Sequence, residues 1–189
     1  SGFAAAYVQL AISLANAGLQ RARQDSLAET AYRLRARLPE RERYDVEGAY
    51  YFGRNDRGKA IAAFERAIAI DSSDVDALNS LAILSMRTRN FPRAIQAARR
   101  TVAIEPSSGI LWANLANVLF DDGKLDEADS VYREMKARKI EYPRDYGESV
   151  VLWLRGEHDS VEARARAGLK SQNAGVSRRS LTMLRLLLE

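Results

Sequence analysis

The sequence predicts an all-α fold built from consecutive antiparallel helix pairs, and three observations support this prediction. The first is an internal repeat of 34 residues, which aligns Tyr44, Leu78 and Trp112 as the large side chains that start three successive units. The second is a cluster of turn-forming residues in the middle of each unit, between two stretches with helical spacing of apolar side chains. The third is that no stretch alternates polar and apolar residues with the period of a strand. A period of this length is typical of solenoids in which each repeat is one supersecondary unit.

Two columns of small residues indicate where the helices of a unit approach each other. One column lies four residues after the large starting residue and the other lies sixteen residues after it; the members are Gly48, Ala82 and Ala116, then Ala60, Ala94 and Ala128. Small side chains let two helix axes come close, while large side chains fill the space between successive pairs. We therefore assign packing roles to both columns and to Tyr44, Leu78 and Trp112.

The three clear units are expected at residues 41–74, 75–108 and 109–142. In the second of them, Asn90 can cap a helix whose first turn holds Pro92, a position where the missing N–H is harmless. Two departures from the pattern stand out, because Glu47 occupies a usually apolar column and Ser85 replaces a usually large residue.

Both flanks resemble the central units less closely. A degenerate first pair is expected over residues 3–40, with helices at 3–20 and 26–38, and a degenerate later pair over 143–170. In the later pair, with helices expected at 144–155 and 160–170, the column of small residues shifts by one position to Ala163. A leucine-rich last helix is expected to cap the array at 176–189, so that residues 1–189 form one repeat domain.

Composition is that of a folded protein in water, with 47% hydrophobic and 29% charged residues among 189. No apolar run approaches the roughly 18 to 20 residues needed to cross a bilayer, and with no cysteine the chain has no thiolate metal ligand. The net charge of +4 is not concentrated in any part of the chain: successive segments ending at residues 40, 74, 108, 142 and 189 carry +2, −1, +3, −2 and +2. Nothing in this distribution indicates a binding site for a polyanion.

The motifs of the third clear unit resemble a known repeat family. Trp112, Leu115 and Ala116 form W-x2-L-A, and Ala128 and Tyr132 form A-x3-Y. Together with the 34-residue period, they are similar to the tetratricopeptide repeat. The resemblance implies a right-handed superhelical solenoid of about five helix pairs plus a C-terminal helix, and it implies a scaffold that binds proteins or peptides.

The same resemblance implies where a partner binds. In tetratricopeptide domains the first helix of each pair forms a concave wall, and a peptide lies against positions 2, 5, 9 and 12 of each unit. Carried over to this chain, the wall residues are Asn16, Asp45, Phe52, Asn79, Ile83, Met86, Asn117 and Phe120, with Ile12, Leu19, Ala49 and Ala113 beside them. Amides on this wall can donate to and accept from an extended peptide backbone, and the apolar members supply contact area.

A second resemblance concerns the context of the domain. The run from residue 38 to 44 (LPERERY), followed by Glu47, Ala49 and Tyr50-Tyr51, looks like a segment of repeat regions fused to bacterial serine/threonine protein kinases and related signalling receptors. It implies an accessory or sensory region of a larger bacterial signalling protein. The compartment stays open between the cytoplasm and the extracytoplasmic part of a membrane-anchored receptor.

Catalytic constellations are nearly absent, and we expect no enzyme activity, no cofactor and no metal. The single histidine, His158, lies in a turn between two expected helices, where such a residue is more often solvated than catalytic. No glycine-rich phosphate loop, HExxH motif or EF-hand spacing occurs.

Two alternatives to peptide binding remain open. The chain could self-associate as a homodimer through exposed terminal helices, chiefly residues 181–188. Less favoured is contact with nucleic acid through the series Arg33, Arg35, Arg37, Arg41 and Arg43. The acidic neighbours Glu29, Glu40 and Glu42 are expected to offset those charges, so the leading expectation has a protein partner, no nucleic acid and no membrane insertion.

Overall fold

A computed structural model describes residue 6, residues 21–140 and residues 147–170. The described chain forms nine α-helices and one short 3-10 turn at Arg35–Arg37, and no strand. The helices are α1 (Arg21–Leu34), α2 (Glu40–Gly53), α3 (Arg57–Ile70), α4 (Val75–Arg87), α5 (Phe91–Ile104), α6 (Gly109–Asp121), α7 (Leu125–Ala137), α8 (Gly147–Leu154) and α9 (His158–Leu169). The prediction of an all-α fold made of helix pairs is confirmed.

The chain divides into two compact units, residues 1–104 and 105–189. In the first unit a core of Ala60, Phe64, Ala67, Ala77 and Leu84 joins α3 to α4. In the second unit α6 buries most of its length, including Trp112, Leu115, Val118 and Leu119. The single domain expected over residues 1–189 stays a prediction, and the helices expected at 3–20 and 176–189 lie outside the described residues.

Four turns between the two helices of a pair share the same backbone conformation. Asn55, Arg89, Gly123 and Gly156 each adopt a positive φ of 59° to 77° just after the first helix of the pair. The next residue then donates its N–H to the carbonyl five residues earlier, as Asp56 does to Tyr51 and Asn90 does to Ser85. This is the hydrogen-bond pattern that closes a helix with a left-handed residue.

Side chains cap the N-terminal ends of α3, α4 and α5. Asp56 accepts a hydrogen bond from the Lys59 N–H at 3.3 Å, and Asp74 accepts one from the Ala77 N–H at 3.0 Å. Asn90 accepts from the Arg93 N–H at 3.4 Å, in the position the sequence suggested. Each bond satisfies an N–H that the first turn of a helix leaves without an internal partner.

Helix α1 ends earlier than the sequence predicted. The helix expected to reach residue 38 ends at Leu34 and tightens into the 3-10 turn, after which Leu38 is extended, with φ −91° and ψ 154°. The cause is Pro39, because the ring of a proline disfavours helical geometry in the residue before it.

The small-residue columns lie inside the pairs. Ala60, Ala82, Ala94, Ala116 and Ala128 are each 0% exposed. Gly48 is buried against Phe64, so that a Cβ at Gly48 would lie 2.5 Å from the Phe64 Cε1 atom. The starting residues Leu78 and Trp112 are also buried, while Tyr44 is half-buried and packs against the first-unit core.

The last pair follows a register that differs from the expectation. Ala163 is exposed, whereas Val161 and Ala165 are buried. The turn at Gly156 comes 33 rather than 34 residues after its equivalent at Gly123, and α9 therefore starts at His158. Val161 donates its N–H to the Glu157 carbonyl as Ala128 does to Lys124, which makes Val161 the true member of the column.

Candidate protein-binding wall

In the first unit, side-chain contacts link α2 and α4, the first helices of two successive pairs. Near their N-terminal ends the Arg41 guanidinium bonds Asp74 at 2.5 Å, across the boundary between the pairs. Near their C-terminal ends the Arg87 guanidinium lies 5.1 Å from the centre of the Phe52 ring. These two contacts hold α2 and α4 as neighbours, so the residues on them form one surface, which we call the α2–α4 wall.

Five of the residues expected to contact a peptide belong to this wall, and the structure leaves all of them partly exposed. They are Asp45, Phe52, Asn79, Ile83 and Met86. Phe52 packs one side against the core of the first unit. The wall therefore combines an acid, an amide and three apolar side chains that the core does not fully cover.

The second unit contributes less of the expected surface. Asn117 is exposed on α6 and Phe120 is half-buried. The assignment of Ala113 to the wall is wrong, since this residue is 1% exposed and belongs to the buried side of α6. Asn16, with Ile12 and Leu19, lies outside the described residues.

The acidic end of the α2–α4 wall has an unusual charge balance. Arg41 binds both Asp45, at 2.8 Å, and Asp74, whose side chain is only 5% exposed. Asp74 is held in place because it also caps α4. One guanidinium thus serves two carboxylates. The second oxygen of Asp45, Oδ1, is buried, and no group of the described residues donates a hydrogen bond to it.

This balance changes the protonation of Asp45. The pKa of the Asp45 carboxyl is raised to about 7, chiefly by burial. The nearby charges of Asp74 and Asp76 also raise the pKa, and the opposing effect of Arg41 is smaller than that of Asp74. A carboxyl withdrawn from water beside other carboxylates prefers its neutral form. The sequence did not reveal this, because Asp45 and Asp74 lie 29 residues apart and become neighbours only when α2 packs beside α4.

Most arginines of the series from Arg33 to Arg43 form ion pairs with acidic residues of the first unit. Arg35 binds Glu47 at 2.8 Å, which explains the acid in a usually apolar column, and Arg43 lies 3.7 Å from Glu40. With Arg41 taken by its two carboxylates, three of the five arginines are neutralised within the first unit. Glu29, expected to offset this series, instead binds Arg54 at 2.6 Å.

A cluster of tyrosines joins α1 to α2, and it was not predicted from the sequence. The rings of Tyr32 and Tyr50 stack with centres 3.9 Å apart, and the hydroxyls of Tyr32 and Tyr51 are 2.8 Å apart. Arg35 covers the Tyr32 ring at 3.6 Å and Arg54 covers the Tyr50 ring at 4.1 Å. The adjacent pair Tyr50-Tyr51, on a helix whose end carries Arg54, was the signal in the sequence.

His158 is exposed at the start of α9, with its ring 6.4 Å from that of Trp153. Across residues 21–140 and 147–170, no three acidic or histidine side chains gather as metal ligands do. None of the helices within those same ranges combines the length and apolar character of a membrane span.

The fold and the wall define a helical-repeat scaffold, and comparison with known proteins identifies its family. A sequence profile described as tetratricopeptide repeat matches residues 46–108 and again 81–143, which together span more than half of the chain. The chain therefore belongs to the tetratricopeptide repeat family. Members of this family generally mediate protein–protein interactions and are generally not enzymes. The resemblance to kinase-fused repeat regions stays a prediction.

Among curated proteins, the chain is similar to the general transcriptional corepressor ssn6 of Schizosaccharomyces pombe, with 25% identity over 112 residues. The match covers 57% of this chain and spans about a tenth of the corepressor, 10% of its length.

Among solved structures, the fold is similar to TTC0263, a thermophilic TPR protein of Thermus thermophilus. The TM-score is 0.74 at 15% identity, with 96% of this chain and 99% of that chain covered. It is also similar to the MamA protein, with a TM-score of 0.52 at 22% identity over 71% of this chain and 75% of that chain. At these identities the likeness concerns the fold.

Proposed function

We propose that this protein is an interaction scaffold that binds an extended segment of another protein along the first helices of its repeats. The observation that carries the proposal is the partial exposure of Phe52, Ile83 and Met86 beside Asn79 on the α2–α4 wall. Apolar side chains on the buried sides of the same helices, such as Leu78 and Leu84, are almost completely covered. The wall residues are thus apolar side chains that the packing of the pairs covers only in part.

The chemistry of the wall suits a peptide backbone. An asparagine amide can donate to a carbonyl and accept from an N–H of an extended chain, while Met86 adapts its shape to varied side chains. Apolar contact supplies most of the affinity in such recognition, and the polar groups set the register.

A peptide library tests this function without knowledge of the natural partner. Peptides selected on the whole chain would be measured by fluorescence polarisation against Asn79→Ala, with Gln96→Ala as the matched control. Gln96 is an exposed amide on α5, outside the wall. We expect Asn79→Ala to weaken binding about three- to tenfold, as for loss of one hydrogen bond, and Gln96→Ala to leave it unchanged. Equal affinities of the two variants, or a library that yields no binder, would contradict the proposal.

A second candidate is self-association, and exposed apolar residues of the last pair favour it. Trp153 and Leu154 on α8 and Leu169 on α9 are all exposed. Light scattering across a concentration series would distinguish the two functions. A dimer that dissociates in Trp153→Ser supports self-association, whereas a monomer at every concentration counts against it.

The role in a larger bacterial signalling protein is also a proposal. It is supported by the similarity of residues 38–51 to repeat regions fused to bacterial kinases. Sequencing the gene on both sides of this segment tests it: an adjoining kinase or receptor domain is expected, and a gene that encodes no such domain would rule the role out.

A further inference from the structure

Basic residues of the first unit are concentrated on α3 and α5, the second helices of two successive pairs. The second helices, α3 and α5, carry six basic residues, Arg57, Lys59, Arg66, Arg93, Arg99 and Arg100, against the single acid Glu65. Of the first helices, α2 carries the reverse excess, with four acids against two arginines, and α4 is balanced, with Asp76 against Arg87. The net charges of successive 34-residue segments do not show this difference, because each segment contains one first helix and one second helix. In the second unit, α7 has four acids against two basic residues and α9 has two of each, so among the helices described there neither carries the basic excess of α3 and α5.

The two basic helices are linked by one ion pair and present equivalent residues. An ion pair between Arg93 and Glu65 joins α5 to α3. Arg66 and Arg100 are related by the 34-residue period, as are Ile70 and Ile104. On each helix the arginine and the isoleucine are four residues apart and hence share a face. We call these four residues the basic edge.

Within the described part of the chain, neither arginine of the basic edge is paired directly with a carboxylate. Arg100 donates to the Ser72 carbonyl at 2.5 Å, and Arg66 lies 5.5 Å from the centre of the Tyr44 ring. Both partners are neutral. The nearby acid Glu65 is already bound to Arg93, and Asp56 to Lys59. Asp71, next to Ile70, accepts hydrogen bonds from the N–H and the hydroxyl of Ser73. The direct partners of both arginines are therefore neutral groups, which hold the guanidinium groups in position without pairing their charge.

Exposed apolar side chains accompany these charges. Ile70 is 51% exposed and Ile104 is 40% exposed, at the C-terminal ends of α3 and α5. A surface that pairs guanidinium groups with protruding aliphatic side chains matches the boundary between lipid headgroups and acyl chains. The four residues of the edge include no aromatic ring, which contact with unpaired nucleic-acid bases generally uses.

We propose that the basic edge of α3 and α5 docks on the surface of an anionic lipid bilayer, with Arg66 and Arg100 at the lipid phosphates and Ile70 and Ile104 at the acyl boundary. The contact is peripheral and lies on helices other than those of the α2–α4 wall. The scaffold could hold a protein segment and a membrane surface at the same time.

Vesicle co-sedimentation of the whole chain tests the proposal. Vesicles of phosphatidylcholine alone are compared with vesicles containing phosphatidylglycerol, at low and at physiological salt. We expect binding to the anionic vesicles only, weakened by salt. Arg66→Gln with Arg100→Gln should weaken it by about fivefold per charge removed, and Ile70→Ser with Ile104→Ser should weaken it without changing the charge.

The matched control is Arg133→Gln with Lys136→Gln, which removes two exposed charges from α7 in the second unit. It should bind vesicles as the unaltered chain does, and thermal unfolding shows whether every variant is folded. Equal loss in both charge variants, equal binding to neutral vesicles, or no binding at low salt would overturn the proposal. Binding of duplex DNA that depends on Arg66 and Arg100, with no binding of vesicles, would assign the edge to nucleic acid and overturn it as well.

Discussion

Gly48 on α2 lies directly against the ring of Phe64 on α3, and the space between them has no room for a Cβ atom. A Cβ built on Gly48 would lie 2.5 to 2.7 Å from three atoms of that ring. The close approach of the two helices in the first clear repeat therefore depends on a residue without a side chain.

Gly48→Ala is expected to lower the free energy of unfolding. Displacing the Phe64 ring costs about 1 to 3 kcal/mol, which exceeds the gain of up to about 1 kcal/mol from replacing glycine inside a helix. Urea denaturation measures the difference. Gly58→Ala is the control, because nothing lies within 4 Å of a Cβ there. We expect this change to be neutral or stabilising. Destabilisation by Gly58→Ala but not by Gly48→Ala would contradict the contact between Gly48 and Phe64.

Ala94→Leu is expected to destabilise the next repeat by about 1 to 3 kcal/mol, since a fully buried alanine has no space for three more carbons. Ala103→Leu on the same helix makes the same chemical change at an exposed position and should leave the melting temperature nearly unchanged. Equal melting temperatures for the two variants would show that the assigned column is not at the helix contact.

Asp45 should make stability fall as pH rises from about 4 to about 7. Its folded-state pKa of about 7 lies above the ordinary value of about 3.9, so the folded protein binds the proton more tightly than the unfolded chain does. The stabilisation is fully present below pH 4 and is lost as the carboxyl ionises.

Asp45→Asn should consequently be more stable than the unaltered chain at pH 8, by on the order of 1 kcal/mol after allowance for the exposed part of the side chain. Near pH 4 the two proteins should be alike. Chemical denaturation at both pH values measures this, with Glu105→Gln, an exposed carboxyl, as the control. Loss of stability in Asp45→Asn at pH 8 would mean that its bond to Arg41 outweighs burial.

Tyr32→Leu should loosen α1. The change removes the stack on Tyr50 and the hydroxyl contact with Tyr51, interactions worth about 1 to 3 kcal/mol together. Hydrogen exchange should become faster in α1 and the start of α2, while α4 and α5 keep their protection. Uniform acceleration across the first unit would contradict a local role for the tyrosine cluster.

The repeat architecture could be predicted because one period governs it. The 34-residue spacing located the turns at Asn55, Arg89 and Gly123, and it missed the register of the last pair only where the spacing shrinks to 33 at Gly156. The charges of the wall could not be predicted in the same way. Periodicity assigns Asp45 to a helix face, but the pairing of Arg41 with Asp74 depends on how adjacent repeats pack, and no local pattern encodes that contact.

Hydrogen exchange with and without a library-selected peptide shows whether a partner segment lies along the first helices. We expect new protection on α2 and α4, around Phe52, Asn79, Ile83 and Met86, with α3 and α5 unchanged. Protection confined to α3 and α5, or to α8 and α9, would contradict it.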